Sequence, residues 1–115
     1  SKAKSEISFG GHNASRYTGS INWIPVAAGS SLWSIQLESL RMGPRTFTTG
    51  NRAIIDTASS LIFGPVSVVN AIHTAIGAEP YGNGIYQVNC NSIKAMPVIS
   101  LKVRGTTLNL TPAQY

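Results

Sequence analysis

A single aspartate, Asp56, stands in the 115-residue chain. It follows a short apolar run, Ala53-Ile54-Ile55, and precedes four small residues, Thr57, Ala58, Ser59 and Ser60, three of which carry hydroxyls. Isoleucines draw a strand inward, and a carboxylate held at the end of such a strand needs hydrogen-bond donors. The hydroxyls of Thr57, Ser59 and Ser60 and the N–H groups of the turn can supply them. Two readings fit this placement. The carboxylate caps its own turn, or it is an acid–base group presented on a hydroxyl-rich loop.

Other side chains capable of chemistry are less well placed. His12 follows Gly10-Gly11, and His73 falls between Ile72 and Ala75 in a helical pattern; no cysteine or acid stands at ligand spacing from either, so no metal site is expected. Ser59 and Ser60 lack the Gly-x-Ser-x-Gly setting of a serine hydrolase. Gly10-Gly11 is not part of a phosphate-loop glycine pattern. Cys90 is the only cysteine, read either as a buried thiol or, in a secreted protein, as half of a disulfide. Two glycosylation sequons occur, Asn13-Ala14-Ser15 and Asn109-Leu110-Thr111, the second followed by Pro112. Trp23 and Trp33 are expected in the core. Tyr81 and Tyr86 have no assignable role.

Strands must position Asp56. Alternation predicts them over Glu6–Phe9, Tyr17–Val26, Leu32–Met42, Phe47–Gly50, Ile85–Val88 and Val98–Val103, with Thr107–Leu110 as a hairpin partner. Gly43-Pro44 and Gly105 mark turns, and Glu79 to Gly84 reads as a turn-rich loop. One helix is predicted over Val66–Ile76, with Ser67 as N-cap and Gly77 at the C-terminal cap. Ser92 to Ala95 suggests one helical turn. Many short strands with one helix predict a mainly β domain.

Composition agrees. The chain is 43% hydrophobic and 11% charged, too apolar for disorder and well below usual charge content. The net charge of +5 reflects four acids, not a dense basic run, and argues against nucleic-acid binding. No apolar run approaches membrane-spanning length.

The segment Ala53-Ile54-Ile55-Asp56-Thr57-Ala58-Ser59-Ser60-Leu61-Ile62-Phe63-Gly64-Pro65 resembles the second active-site motif of pepsin-like aspartic proteases. Phe9-Gly10-Gly11, Tyr17 to Val26, Trp33-Ser34-Ile35, Val88 to Ile93, Met96-Pro97 and Leu110 to Tyr115 are similar to that family in order and spacing. The resemblance implies residues 1–115 of an incomplete C-terminal lobe, part of a bilobal acid protease, without the N-terminal lobe and the final C-terminal strands. It implies an aspartic endopeptidase in which Asp56 is one of two aspartates activating a water. Thr57 matches a hydroxyl that bonds to the opposite loop, Ser59 one that orients the carboxylate, and Ser60 belongs to the same supporting loop. Ile54 and Leu32 match positions that line the substrate cleft. Cys90 matches a cysteine whose partner lies outside this chain. No cofactor is implied; the partners are a polypeptide substrate and the other lobe, in a full-length monomer made as a zymogen and secreted or delivered to a lysosomal or vacuolar compartment. The isolated chain is expected to be inactive. Ala58 departs from the family's glycine, which suggests the alternative of an inactive relative that binds peptides or proteins.

Overall fold

The computed structural model describes residues 5–115. Its centre is a four-stranded antiparallel sheet in the order β2-β1-β5-β6, built from β1 (Ser34–Met42), β2 (Arg45–Ile54), β5 (Ile99–Val103) and β6 (Thr106–Leu110). A helix, α1 (Val66–Ile76), and a two-stranded hairpin of β3 (Glu79–Gly82) and β4 (Ile85–Gln87) lie between the two halves of this sheet in sequence. Short 3-10 helices cover Ala14–Arg16 and Cys90–Ala95. The architecture is mainly β with one helix, as the patterning predicts.

The β1–β2 hairpin is closed by Gly43-Pro44, with Met42 opposite Arg45, and its ladder runs to the pair Ser34–Ile54. The short strand expected over Phe47–Gly50 is the middle of this longer β2. A register shift at Leu40/Arg41 marks a bulge. The buried positions of β1 change parity across it: Ile35 and Leu37, with Ser34 beside them, are buried before the bulge and Met42 after it. A bulge increases local twist, so successive parts of one strand address different sides of the sheet.

The core is small. Ile35, Leu37 and Val103 form its buried cluster, with Ile24, Leu40, Ala53 and Leu101 packed against it. Full burial of each such side chain stabilises by about 1.5–3 kcal/mol. At the β5–β6 turn Arg104 has φ 47° and Gly105 φ 76°, the paired positive φ of a tight hairpin. The arginine is held there by a hydrogen bond from Nη1 to the Trp23 carbonyl (3.3 Å), and Gly105 N–H donates to Glu38 Oε1 (2.8 Å).

The helix has the predicted bounds but a different start. Pro65, not Ser67, is the N-cap, with no side-chain cap; its carbonyl accepts from the N–H groups of Val68 and Val69, both at 3.0 Å. Proline fixes φ and leads the chain into the first turn, so Ser67 becomes an ordinary first-turn residue. At the other end Gly77 takes φ 67°, and Ala78 N–H donates to the His73 carbonyl at 2.9 Å, as a left-handed glycine cap requires.

Several expectations are corrected. Glu6–Phe9 and Tyr17–Val26 are not strands: their alternation is real, but no described strand pairs with them, and a strand exists only through its ladder. Glu79–Gly84 is not simply a loop; Glu79–Gly82 pairs with β4 across Asn83-Gly84. Trp23 and Trp33 are not core residues but are 71% and 74% exposed. The buried cluster is built from aliphatic side chains of β1 and β5, and both indoles lie outside it.

Candidate active site

Asp56 is positioned by the end of the β1–β2 ladder. Beyond the last pair, Ile55 N–H still donates to the Trp33 carbonyl (2.9 Å), and Asp56 is the first residue past that bond. The chain then turns. Asp56 Oδ1 accepts from Ala58 N–H (2.9 Å), and Oδ2 accepts from the Ser59 hydroxyl (2.6 Å). Each carboxylate oxygen thus has one donor, and two fixed bonds set the plane of the group. The Ser59 hydroxyl foremost, then the Ala58 N–H, hold the carboxyl below its ordinary value, because both donate to the charged form.

Residues 56–60 are all exposed. Thr57 and Ser60 make no side-chain hydrogen bond among the described residues, so the structure brings Ser59 and Ala58 to the carboxylate and leaves Thr57 and Ser60 outward. Ala58 keeps φ outside the positive range, so its methyl adds no left-handed backbone strain. The N–H that a glycine would offer is offered here by alanine.

The flanks present apolar side chains outward. Ile55, Leu61, Ile62, Phe63 and Val66 are all at least half exposed. Gly64 has a tighter constraint: a Cβ there would lie 3.1 Å from Val69 Cγ2, so glycine lets the chain from the Asp56 turn pass close to α1. α1 in turn packs on β2, the strand that delivers Asp56.

Ile54 and Leu32 stand near the same end of the hairpin and are both exposed. Ile54 pairs with Ser34, and Leu32 precedes a tight turn in which Ser34 N–H donates to the Leu32 carbonyl (2.7 Å). Two shallow depressions lie elsewhere, one lined by Ser39, Arg41 and Lys102 and the other by Glu6, His12 and Asn13; neither includes Asp56. Cys90 is an exposed free thiol at the start of its 3-10 helix, not a buried one. Among the described residues no three His, Cys, Asp or Glu side chains gather as a metal site would need, and no helix is long and apolar enough to cross a membrane.

One contact escaped sequence reasoning. His73 on α1 stacks on Tyr86 of β4, ring centroids 3.6 Å apart and 23° between planes. Its Nδ1 is buried without a partner, and burial pushes the imidazole below its ordinary value. Helical spacing identifies the face His73 occupies, but only the docking of the β3–β4 hairpin supplies the tyrosine.

A family model described as eukaryotic aspartyl protease matches residues 1–115. Cathepsin E-A of Xenopus laevis is 39% identical over 112 residues, covering 96% of this chain and 28% of the relative. Pepsin A of Sus scrofa is 37% identical over 113 residues, covering 96% and 29%. The crystal structure of the aspartic proteinase from Irpex lacteus superposes with a TM-score of 0.76 at 25% identity, covering 90% of this chain and 32% of that one. The chain therefore spans less than a third of the length of these relatives. The similarity runs through the Asp56 turn and the elements on both sides of it, so motif and fold agree on one point: this chain belongs to the eukaryotic aspartyl protease family.

Proposed function

We propose that this chain supplies one carboxylate, Asp56, to the two-carboxylate centre of an aspartic endopeptidase. The observation that carries the proposal is the pair of bonds that fixes Asp56: the Ala58 N–H on one oxygen and the Ser59 hydroxyl on the other. They orient the carboxylate and favour its charged form. A second carboxylate must come from the rest of the protein. Two acids that close share one proton, because both cannot ionise comfortably. The ionised one takes a proton from a water between them as that water attacks the peptide carbonyl. The protonated one polarises the carbonyl, and a proton is then delivered to the leaving nitrogen.

Several features support this division of labour. A single carboxylate cannot be base and acid in the same step, so the chain alone is inactive. Ile55, Leu61, Ile62, Phe63 and Val66 are exposed apolar side chains flanking the Asp56 turn, and the other lobe covers them in this reading. Thr57, outward and unbonded among the described residues, is free to bond to the opposite loop. Ile54 and Leu32 line the cleft for bulky apolar substrate side chains. Cys90, exposed, pairs with a cysteine elsewhere in the protein. The protein is made as a zymogen and works outside the cell or in an acidic compartment.

The second reading, an inactive relative, rests on Ala58. The geometry weighs against it, since alanine keeps the donor at 2.9 Å without positive φ. The test is cleavage of an unfolded protein at acidic pH by the full-length protein, with and without pepstatin. Pepstatin-sensitive cleavage that falls by roughly a thousandfold or more in Asp56→Asn is the expected result. Cleavage undiminished in that variant would refute the role of Asp56.

A further inference from the structure

We propose that Asn13 carries an N-linked glycan and that Asn109, in the second sequon, does not. The inference rests on the secretory route proposed above, and it follows from how differently the fold treats the two sequons.

Asn13 is exposed, as are all its described neighbours from Ser5 to Arg16. It caps the 3-10 helix Ala14–Arg16. Its Oδ1 accepts from both the backbone N–H (3.1 Å) and the hydroxyl (2.8 Å) of Ser15. The acceptor amide and the hydroxyl that defines the sequon are therefore already side by side in the folded turn. Nδ2 donates to Glu6 Oε1 at 3.0 Å. An amide nitrogen has two N–H groups; substitution removes one and leaves one for Glu6. Arg16 also holds Glu6, with Nε at 2.9 Å and Nη2 at 2.8 Å from Oε2, so the loop keeps its anchor after modification. Alongside runs an open groove bordered by His12, Tyr17 and Ile21. The first sugar can lay its apolar face on Tyr17, which lies 5.6 Å from the His12 ring. None of the Asp56 turn borders that groove.

Asn109 lies inside the β5–β6 ladder opposite Ser100, and its Oδ1 accepts from the Ser100 hydroxyl (2.8 Å). The Thr111 hydroxyl donates to Gln114 Oε1 (3.0 Å) and not to Asn109. Pro112 follows, and proline biases the residue before it toward an extended conformation. Amide and hydroxyl are thus committed to different partners.

The donor is a lipid pyrophosphate-linked oligosaccharide. Asn13 Nδ2 forms a bond to the anomeric carbon of the first sugar, and the carbon–oxygen bond to the pyrophosphate breaks. Its electron pair leaves with the lipid pyrophosphate, and Nδ2 gives up one proton to a basic group of the transferase. No oxidation or reduction occurs.

The test uses the full-length protein, secreted from a eukaryotic host behind a host signal sequence. Peptide:N-glycosidase treatment in heavy-oxygen water, followed by peptide mapping, is expected to convert residue 13 to labelled aspartate and leave Asn109 unlabelled. Asn13→Gln and Ser15→Ala should each remove one glycan from the intact mass; Ser15→Thr should keep it, and Asn109→Gln should change nothing. Secreted protein unmodified at residue 13, or a glycan lost with Asn109→Gln, would overturn the proposal. Because the unsubstituted protein is mapped directly, poor folding of a variant does not decide the outcome. Proteolytic activity of the same sample tests the peptidase reading separately.

Discussion

Replacing Ala58 with glycine separates two accounts of the methyl group beside the candidate catalytic carboxylate. If the methyl distorts the loop or crowds the facing half of the enzyme, glycine should relieve it. The structure argues otherwise. Ala58 N–H reaches Asp56 Oδ1 at 2.9 Å, so glycine has no better hydrogen bond to offer. Ala58 avoids positive φ, so the penalty of about 1–2 kcal/mol for a left-handed residue is not there to be recovered. What remains is entropy. Alanine restricts the chain more than glycine does, which is worth about 0.4–1 kcal/mol at a position with compatible backbone. If that amount is drawn from the population of the formed turn, at about 1.4 kcal/mol per factor of ten, the turn is about two- to fivefold less populated. Ala58→Gly should therefore leave kcat/KM of the full-length enzyme unchanged or lower it by up to about fivefold. The assay is hydrolysis of a quenched fluorescent peptide at acidic pH, normalised by titrating active sites with pepstatin. A gain of tenfold or more would refute the reasoning and show that the methyl meets something in the assembled enzyme.

Other perturbations address the carboxylate, the core and the helix. Ser59→Ala removes the principal donor to Asp56. A carboxyl held low is charged above its folded pKa and loses charge as pH falls through it, so losing the donor should move the acidic limb of the kcat/KM profile to higher pH; an unmoved limb would deny Ser59 that role. Val103, 2% exposed, should cost about 2 kcal/mol when cut to alanine, from two lost methyl groups plus the cavity, read as a lower urea midpoint at unchanged slope. His73 is held below its ordinary value of 6.5 by burial, so it contributes stability that is complete above that pH and is lost as pH falls toward the folded pKa. His73→Phe keeps a ring against Tyr86 without a titrating group. Its urea midpoint should fall less than the parent's between neutral and acidic pH, and equal losses would reject this origin.

Local signals in the sequence are largely legible and distant ones are not, although even the helix start differs, with Pro65 and not Ser67 at the N-cap. The bounds of α1 follow from apolar spacing within one segment and from Gly77, both local. The β5–β6 hairpin is nearly as legible, because its two strands are joined by a two-residue turn at Arg104-Gly105. Glu6–Phe9 and Tyr17–Val26 alternate just as convincingly, yet form no ladder in the described structure, because pairing depends on a partner that alternation cannot name. The same limit misplaced the indoles. Hydrophobicity predicts that Trp23 and Trp33 seek cover, but not that β1 and β5 fill the buried cluster with aliphatic side chains first. The parity change along β1 depends on a bulge against β2, and nothing in Ser34–Met42 alone announces it.

The site divides along the same line, and the division bears on function. The orientation of Asp56 is local: both of its donors lie within three residues, in Ala58 and Ser59, so a hydroxyl-rich turn was enough to suggest it. Its position is not local, since the bond from Ile55 to Trp33 reaches across to the residue preceding β1. An orientation set within one turn can form before any opposing half arrives and needs no contact from it. The proposed chemistry does need one, because proton sharing requires a second acid within a few ångströms. Loss of Ser59 should therefore alter how pH governs catalysis, whereas disturbing the exposed apolar side chains from Leu61 to Val66 should act on how the two carboxylates are brought together and leave the bonds to Asp56 as they are.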